Sequence, residues 1–181
     1  AEELMHLTCA TAVAACQAVE KATSLRPGIK WTNDLVVGKR KLGGILTELA
    51  ISPDGCVDYA IVGVGVNCLQ SLQDFPPEIQ SFATSATLEC GKAITPDGMA
   101  ASLIDAIRAM PLSEKESMLC AYKQACITLG QEIVVVRGDE KRYGKALDVD
   151  ENGDLLVEFD GGDVKAVSSG EVSVRGMYGY I

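Results

Sequence analysis

Histidine and tryptophan occur once each, as His6 and Trp31, and aromatic residues make up only 5% of the chain. A Ser-His-Asp relay would have to use His6, and no GxSxG elbow accompanies it, so nucleophilic hydrolysis is set aside. No run of about 18 apolar residues exists, which excludes a membrane-spanning helix. Residues 4–20 are apolar-rich but are interrupted by Thr8, Thr11, Gln17 and Glu20, with no basic stretch before them, so a secretory leader is not expected. The seven cysteines contain no CxxC pair and are odd in number, which argues against a disulfide framework or a zinc site and predicts reduced thiols in a cytoplasmic protein. Cations are also scarce. Sixteen Lys+Arg stand against 25 Asp+Glu, a net charge of −9, so nucleic-acid binding is not supported.

Against that acidic background, Lys30 to Leu46 (KWTNDLVVGKRKLGGIL) stands out. Trp31, Leu35, Val36 and Val37 favour an extended backbone, Gly38 breaks it, and the pattern resumes at Leu42, predicting two strands joined at Gly38-Lys39-Arg40. Pairing across that turn brings Asn33, Asp34 and Lys41 together. A lysine on a rigid strand can neutralise charge on carboxylate or phosphoryl oxygens, and Gly43 and Gly44 remove side chains where a ligand could approach the backbone. Two plainer readings use the same residues. Lys39-Arg40-Lys41 also suits a solvated hairpin tip, and Asn33-Asp34 is ordinary turn chemistry.

The remaining elements frame this hairpin. An Ala-rich helix is expected over Leu4 to about Ala22, with Cys9 and Cys16 facing the core. Val57 to Asn67 reads as a buried strand in which Gly63 and Gly65 clear one face. A short helix is expected from about Pro77 to Leu88, another from the Thr95-Pro96 cap to about Met110, and a third from the capping-box spacing at Ser113-Glu114-Lys115-Glu116 to about Thr128. Leu103, Ile104, Ile107, Met118, Leu119, Tyr122 and Ile127 are expected in the core. From Gly130 the pattern changes to short strands, Glu132–Arg137, Arg142–Val149, Leu155–Phe159 and Val164–Val167, which predict a small barrel.

Several of these segments resemble biotin protein ligases. Lys30 to Leu46 is similar to the family's KWPND, turn and KLxGIL signature, and Ile61 to Asn67 resembles its GIGIN strand. Asp74-Phe75-Pro76-Pro77-Glu78 with Ala83-Thr84-Ser85 resembles FPPE…ATS, and Gly170 to Gly176 resembles the terminal GEVSxRG. The resemblance implies an α+β fold: a mixed sheet with flanking helices, forming part of a class II synthetase-like catalytic domain over 1–128, then an SH3-like barrel over 129–181. It implies biotin and ATP as substrates with Mg²⁺, and a lysine of a biotin carboxyl carrier domain as acceptor. Lys41 and Asp34 would be catalytic. Lys30, Trp31, Asn33, Gly43, Gly44, Asn67 and Arg175 would bind substrate or nucleotide, with no metal ligands; Glu171 and Arg175 are candidates for an interdomain or nucleotide contact. A homodimer is a further expectation.

The chain departs from the family pattern in two places. Thr32 stands where the family has Pro, and is expected to be tolerated in a strand. The family's GRGRxGR loop has no counterpart, and the chain starts at Ala1 rather than Met, so a fragment with little activity of its own is expected. The alternatives are a non-catalytic ligand-binding or dimerisation module, part of a biotin-sensing repressor, and a lipoate ligase, which the SH3-like ending disfavours.

Overall fold

The computed structural model describes residues 2–111, 114–168 and 173–176, with the main chain alone for 2–5 and 173–176. Helix α1 (Glu2–Thr23) leads into strands β1 (Gly28–Lys30), β2 (Asp34–Val37), β3 (Arg40–Ile51) and β4 (Val57–Val66), followed by a 3-10 turn at Leu72–Asp74. Helices α2 (Ala86–Cys90), α3 (Pro96–Arg108) and α4 (Lys115–Ala125) come next. Strands β5 (Glu132–Arg137), β6 (Glu140–Val149), β7 (Leu155–Phe159), β8 (Val164–Val167) and β9 (Ser173–Gly176) complete the fold.

The first four strands lie in the order β1-β2-β3-β4, and the last five in the order β8-β7-β6-β5-β9. The fold is α+β as expected, but the first sheet is not mixed: every strand pairing in it is antiparallel. Among the described residues, parallel contacts are limited to isolated bridges, Ile29 to Cys126 and Lys41 to Ala83. Short hairpin connections explain this, since parallel neighbours need long crossovers.

Helix α1 covers one face of the first sheet. Its Ala10, Ala12, Ala15 and Ala18 are at most 1% exposed, small side chains that let the helix lie close to the strands. The Thr8 and Thr47 hydroxyls, 2.9 Å apart, tie α1 to β3. Cys9 is buried and Cys16 packs against the same core, as expected. One apolar cluster runs from α1 through Ile29, Trp31 and Tyr122 into Ile133, Val149 and Leu155 of the second sheet.

Four expectations fail locally. Among the described residues β4 is an edge strand with an open face, so Tyr59 and Ile61 are exposed instead of buried. Residues 77–82 form turns, and the helix waits for the Ser85 cap, whose Oγ accepts the Leu88 N–H at 3.2 Å. α4 starts at Lys115, with Ser113 outside the described residues. Ile104 and Ile107 are exposed on α3, whereas Leu103 packs inward.

Candidate functional site

The β2–β3 hairpin turns at Gly38, whose φ of +60° is the left-handed conformation that glycine adopts without strain. Its register pairs Val36 with Lys41 and Leu35 with Gly43, leaving Leu42 as an extra residue in a β-bulge. A bulge re-aims its neighbours. Leu42 turns inward, fully buried, while Lys41 reaches the Asp34 carboxylate. The Lys41 Nζ and Asp34 Oδ1 form a close ion pair, with the lysine side chain 41% exposed and the aspartate 17%. The ammonium is thus anchored on one side and open on the other.

The three adjacent cations have separate environments. Lys39 lies exposed at the tip, and Arg40 Nη2 meets Glu89 Oε1 at 2.8 Å. Lys41 alone turns to the sheet face that carries Asp34. Its main chain is held as well: the Lys41 N–H donates to the Phe82 carbonyl at 2.7 Å, and the Thr84 N–H donates to the Lys41 carbonyl at 2.9 Å.

Both asparagines expected at the site are close to it and bonded to backbone. Asn33 Nδ2 donates to the Ile45 carbonyl at 2.6 Å, and Asn67 Nδ2 to the Thr84 carbonyl at 2.9 Å. The first fixes the entry to β2 against β3; the second fastens residues 83–85 to the end of β4.

Beside the ion pair the sheet is stripped of side chains. Asp34 pairs with Gly44, Gly44 with Gly65, and Leu46 with Gly63, so these residues share one face. A methyl group on Gly44 would lie 3.4 Å from Asp34 Oδ1 and 3.6 Å from Lys41 Cε. At Gly63 and Gly65 it would meet only β3 carbonyls, at 3.8 and 3.9 Å. The result is an open trough bordered by Leu46, 61% exposed, and Ile61. Leu46 was missed from the sequence, although its alternation with Gly44 places it on this face. Gly43 does not serve the trough as expected, because a Cβ there would collide with the Gly65 carbonyl at 2.1 Å.

Trp31 departs from the extended placement expected of it. It lies in a turn with Thr32 and Asn33, not in a strand, and the Trp31–Thr32 peptide is cis. Its ring is buried, its indole N–H donates to the Gly153 carbonyl at 3.0 Å, and its backbone N–H donates to Thr128 Oγ1. The Tyr122 hydroxyl donates to the Thr32 carbonyl at 2.7 Å, fixing the same turn. Lys30 is buried opposite Asp34 in the β1–β2 register. Arg175 pairs in backbone register with Val134, and its side chain, like Glu171, lies outside the described residues. Burial, reinforced by Cys126, pushes the Cys9 thiol up to about 12, and burial with Glu20 nearby does the same at Cys16. These thiols are structural, not nucleophilic.

An ammonium held by a carboxylate at the head of a glycine-floored trough edged by Leu46 and Ile61, with Glu48 beyond them, suits a molecule with a hydrophobic body and an acidic end. The family "Biotin/lipoate A/B protein ligase family" matches residues 1–67, and "Biotin protein ligase C terminal domain" matches 128–175. The bifunctional ligase/repressor BirA of Bacillus subtilis (strain 168) is 30% identical over 173 residues, covering 93% of this chain and 53% of the relative. The biotin–[acetyl-CoA-carboxylase] ligase of Mycobacterium tuberculosis is 31% identical over 151 residues, covering 80% and 52%. The chain therefore spans about half the length of the curated relatives it matches. Among solved structures, the biotin protein ligase of Aquifex aeolicus in complex with biotin and ATP superposes with a TM-score of 0.81 at 26% identity, over 96% of this chain and 72% of that one. The apo structure of that ligase gives 0.82 at 26% identity, over 97% and 76%. With both family segments in order and the fold shared along nearly its whole length, this chain belongs to the biotin protein ligase family.

Proposed function

We propose that the protein carrying these residues joins biotin to ATP and passes it to a lysine of a biotin carboxyl carrier domain. The ring system lies along the Gly44–Gly63–Gly65 trough against Leu46, with its carboxylate beside Lys41. A carboxylate oxygen attacks the α-phosphorus of ATP, the bond to the bridging oxygen breaks, and pyrophosphate leaves. Lys41 neutralises the charge gathered on the carboxylate and phosphoryl oxygens during that displacement. In the second half-reaction the acceptor amine, having lost a proton, attacks the acyl carbon and AMP departs. Asp34 keeps Lys41 aimed at this point and faces the incoming amine.

Asn33 and Asn67 border the nucleotide end and fix the backbone there, and Arg175 is a candidate contact from the small C-terminal unit. Mg²⁺ would arrive on the phosphates of ATP and screen their charge. A catalytic part over 1–128, a C-terminal part over 129–181, a homodimer and a cytoplasmic location complete the reading.

The observation that carries this proposal is the Lys41–Asp34 pair at the head of the trough. The test is pyrophosphate release by the full-length protein with biotin and ATP. Lys41→Ala should abolish it with the fold intact by circular dichroism, and a normal rate from that variant rejects the assignment.

A further inference from the structure

Thr84 and Ser85 are fully buried polar residues, yet their groups are extensively bonded. The Thr84 N–H donates to the Lys41 carbonyl, its carbonyl accepts from Asn67 Nδ2, and its Oγ1 donates to Glu89 Oε1 at 2.6 Å. Ser85 Oγ donates to the Gln70 carbonyl at 2.6 Å. The same Glu89 oxygen receives Arg40 Nη2 at 2.8 Å, and the Glu89 side chain is only 11% exposed. A nearly buried carboxylate therefore ties α2 to the residue before Lys41 and to the segment hydrogen-bonded to Lys41 itself. Satisfied buried networks of this kind hold one geometry, whereas losing one member leaves the others unpaired.

We propose that Glu89 is a positioning residue for the reaction assigned to Lys41. Through Arg40 and Thr84 it fixes the main chain on both sides of the lysine, and through Thr84 and Asn67 it locks that main chain to the end of β4. Lys41 is also held in register with Val36 of β2, and its ammonium by the ion pair with Asp34, which aims the ammonium but does not hold its Cα. Without Glu89, Thr84 loses its side-chain tie to α2 and Arg40 its carboxylate, so the segment bonded to the Lys41 main chain relies on the Ser85 cap and Asn67. This inference rests on the adenylate-forming reading of the site.

The experiment pairs two measurements on the full-length protein: biotin-dependent ATP–pyrophosphate exchange, and hydrogen exchange at the Lys41 and Thr84 amides, the two donors of the bridge. Glu89→Gln keeps an acceptor for Thr84 and removes the charge facing Arg40; it is expected to lower the exchange kcat about tenfold, and Glu89→Ala up to about a hundredfold. KM for biotin should stay within about twofold, because the trough is untouched. Amide protection should fall at Lys41 and Thr84 and nowhere in the second sheet. Adding Thr84→Val to Glu89→Ala should cost little more, since both act on one network. Unchanged kcat in Glu89→Ala, or a lower kcat with undiminished protection at both amides, overturns the proposal. If Glu89→Ala does not fold, Glu89→Gln decides by the same criteria. Should the wild type and Lys41→Ala release pyrophosphate alike, the functional reading fails by itself. Protection at Lys41 then still decides whether Glu89 positions it.

Discussion

Gly43 and Gly44 are adjacent and chemically identical, but a methyl group meets a different fate at each. At Gly43 it would sit inside van der Waals contact of the β4 backbone, which cannot yield without breaking strand pairing. Gly43→Ala should cost about 1–3 kcal/mol of stability, read from urea denaturation. Gly44→Ala finds ordinary contact distances and should leave the urea midpoint nearly unchanged, while impeding biotin-dependent pyrophosphate exchange by filling part of the trough beside the Asp34–Lys41 pair. A second prediction concerns the thiols. Cys9 and Cys16, each pushed up to about 12, should resist iodoacetamide at pH 8 in the native state, whereas exposed Cys56 and Cys120 should be modified within the same interval, as read by peptide mass spectrometry. The meeting of Asp34 with Lys41 was legible because the two are close in sequence and joined by one hairpin. That of Glu89 was not, since its partners Arg40 and Thr84 come together only through the turns at 77–82, where Pro77 and its neighbours suggested a helix. The structural tie of Trp31 was hidden for a related reason: the acceptor of its indole lies 122 residues away.

Among the elements, the strands of the second sheet were the most legible. Glycines at Gly138, Gly153, Gly161 and Gly162 all take positive φ and punctuate them sharply, and β5, β7 and β8 keep the expected bounds. Burial of β4 was illegible because Val and Gly alternation does not say whether the glycine face is covered. How α4 meets the second sheet offers a test at this scale. Lys123 Nζ donates to Asp148 Oδ2 of β6 at 2.9 Å. Partial burial pulls the Asp148 carboxyl up, but bonds from Lys123 and the Val149 N–H prevail and hold it below its ordinary value. A depressed folded pKa contributes stability above the unfolded carboxyl's ~3.9 and loses it as pH falls through the lower folded value. Asp148→Asn should therefore lower the urea midpoint slightly at pH 7 and have less effect at pH 2.5. The difference should be small, because both side chains remain substantially exposed.

For the molecule as a whole, the two sheets share one apolar cluster, and polar ties run across it. The indole of Trp31 bonds to Gly153, and His6 Nε2 lies 2.7 Å from the Glu151 carbonyl, so α1 and the turn before β2 both grip the β6–β7 turn. Trp31 is the single tryptophan, and its fluorescence reports on this junction alone. In a urea titration its red shift should coincide with the loss of far-ultraviolet circular dichroism, the mark of one cooperative unit. An earlier fluorescence transition would mean that the sheets separate before they unfold. Trp31→Phe keeps an aromatic side chain but removes the donor and part of the buried indole, and should cost about 2–4 kcal/mol through the unpaired Gly153 carbonyl and the space left behind.

Among the described residues, β3 is the only strand beside β4, so one full side of a ten-residue strand offers main-chain donors and acceptors outward. Its outer face adds Tyr59 and Ile61, and Asp58 is its one charge. Such a margin is a template on which another extended polypeptide can be added. Left bare, it makes solubility depend steeply on concentration, and a charged substitution such as Ile61→Lys should keep the chain dispersed at concentrations where the parent sequence forms particles by light scattering.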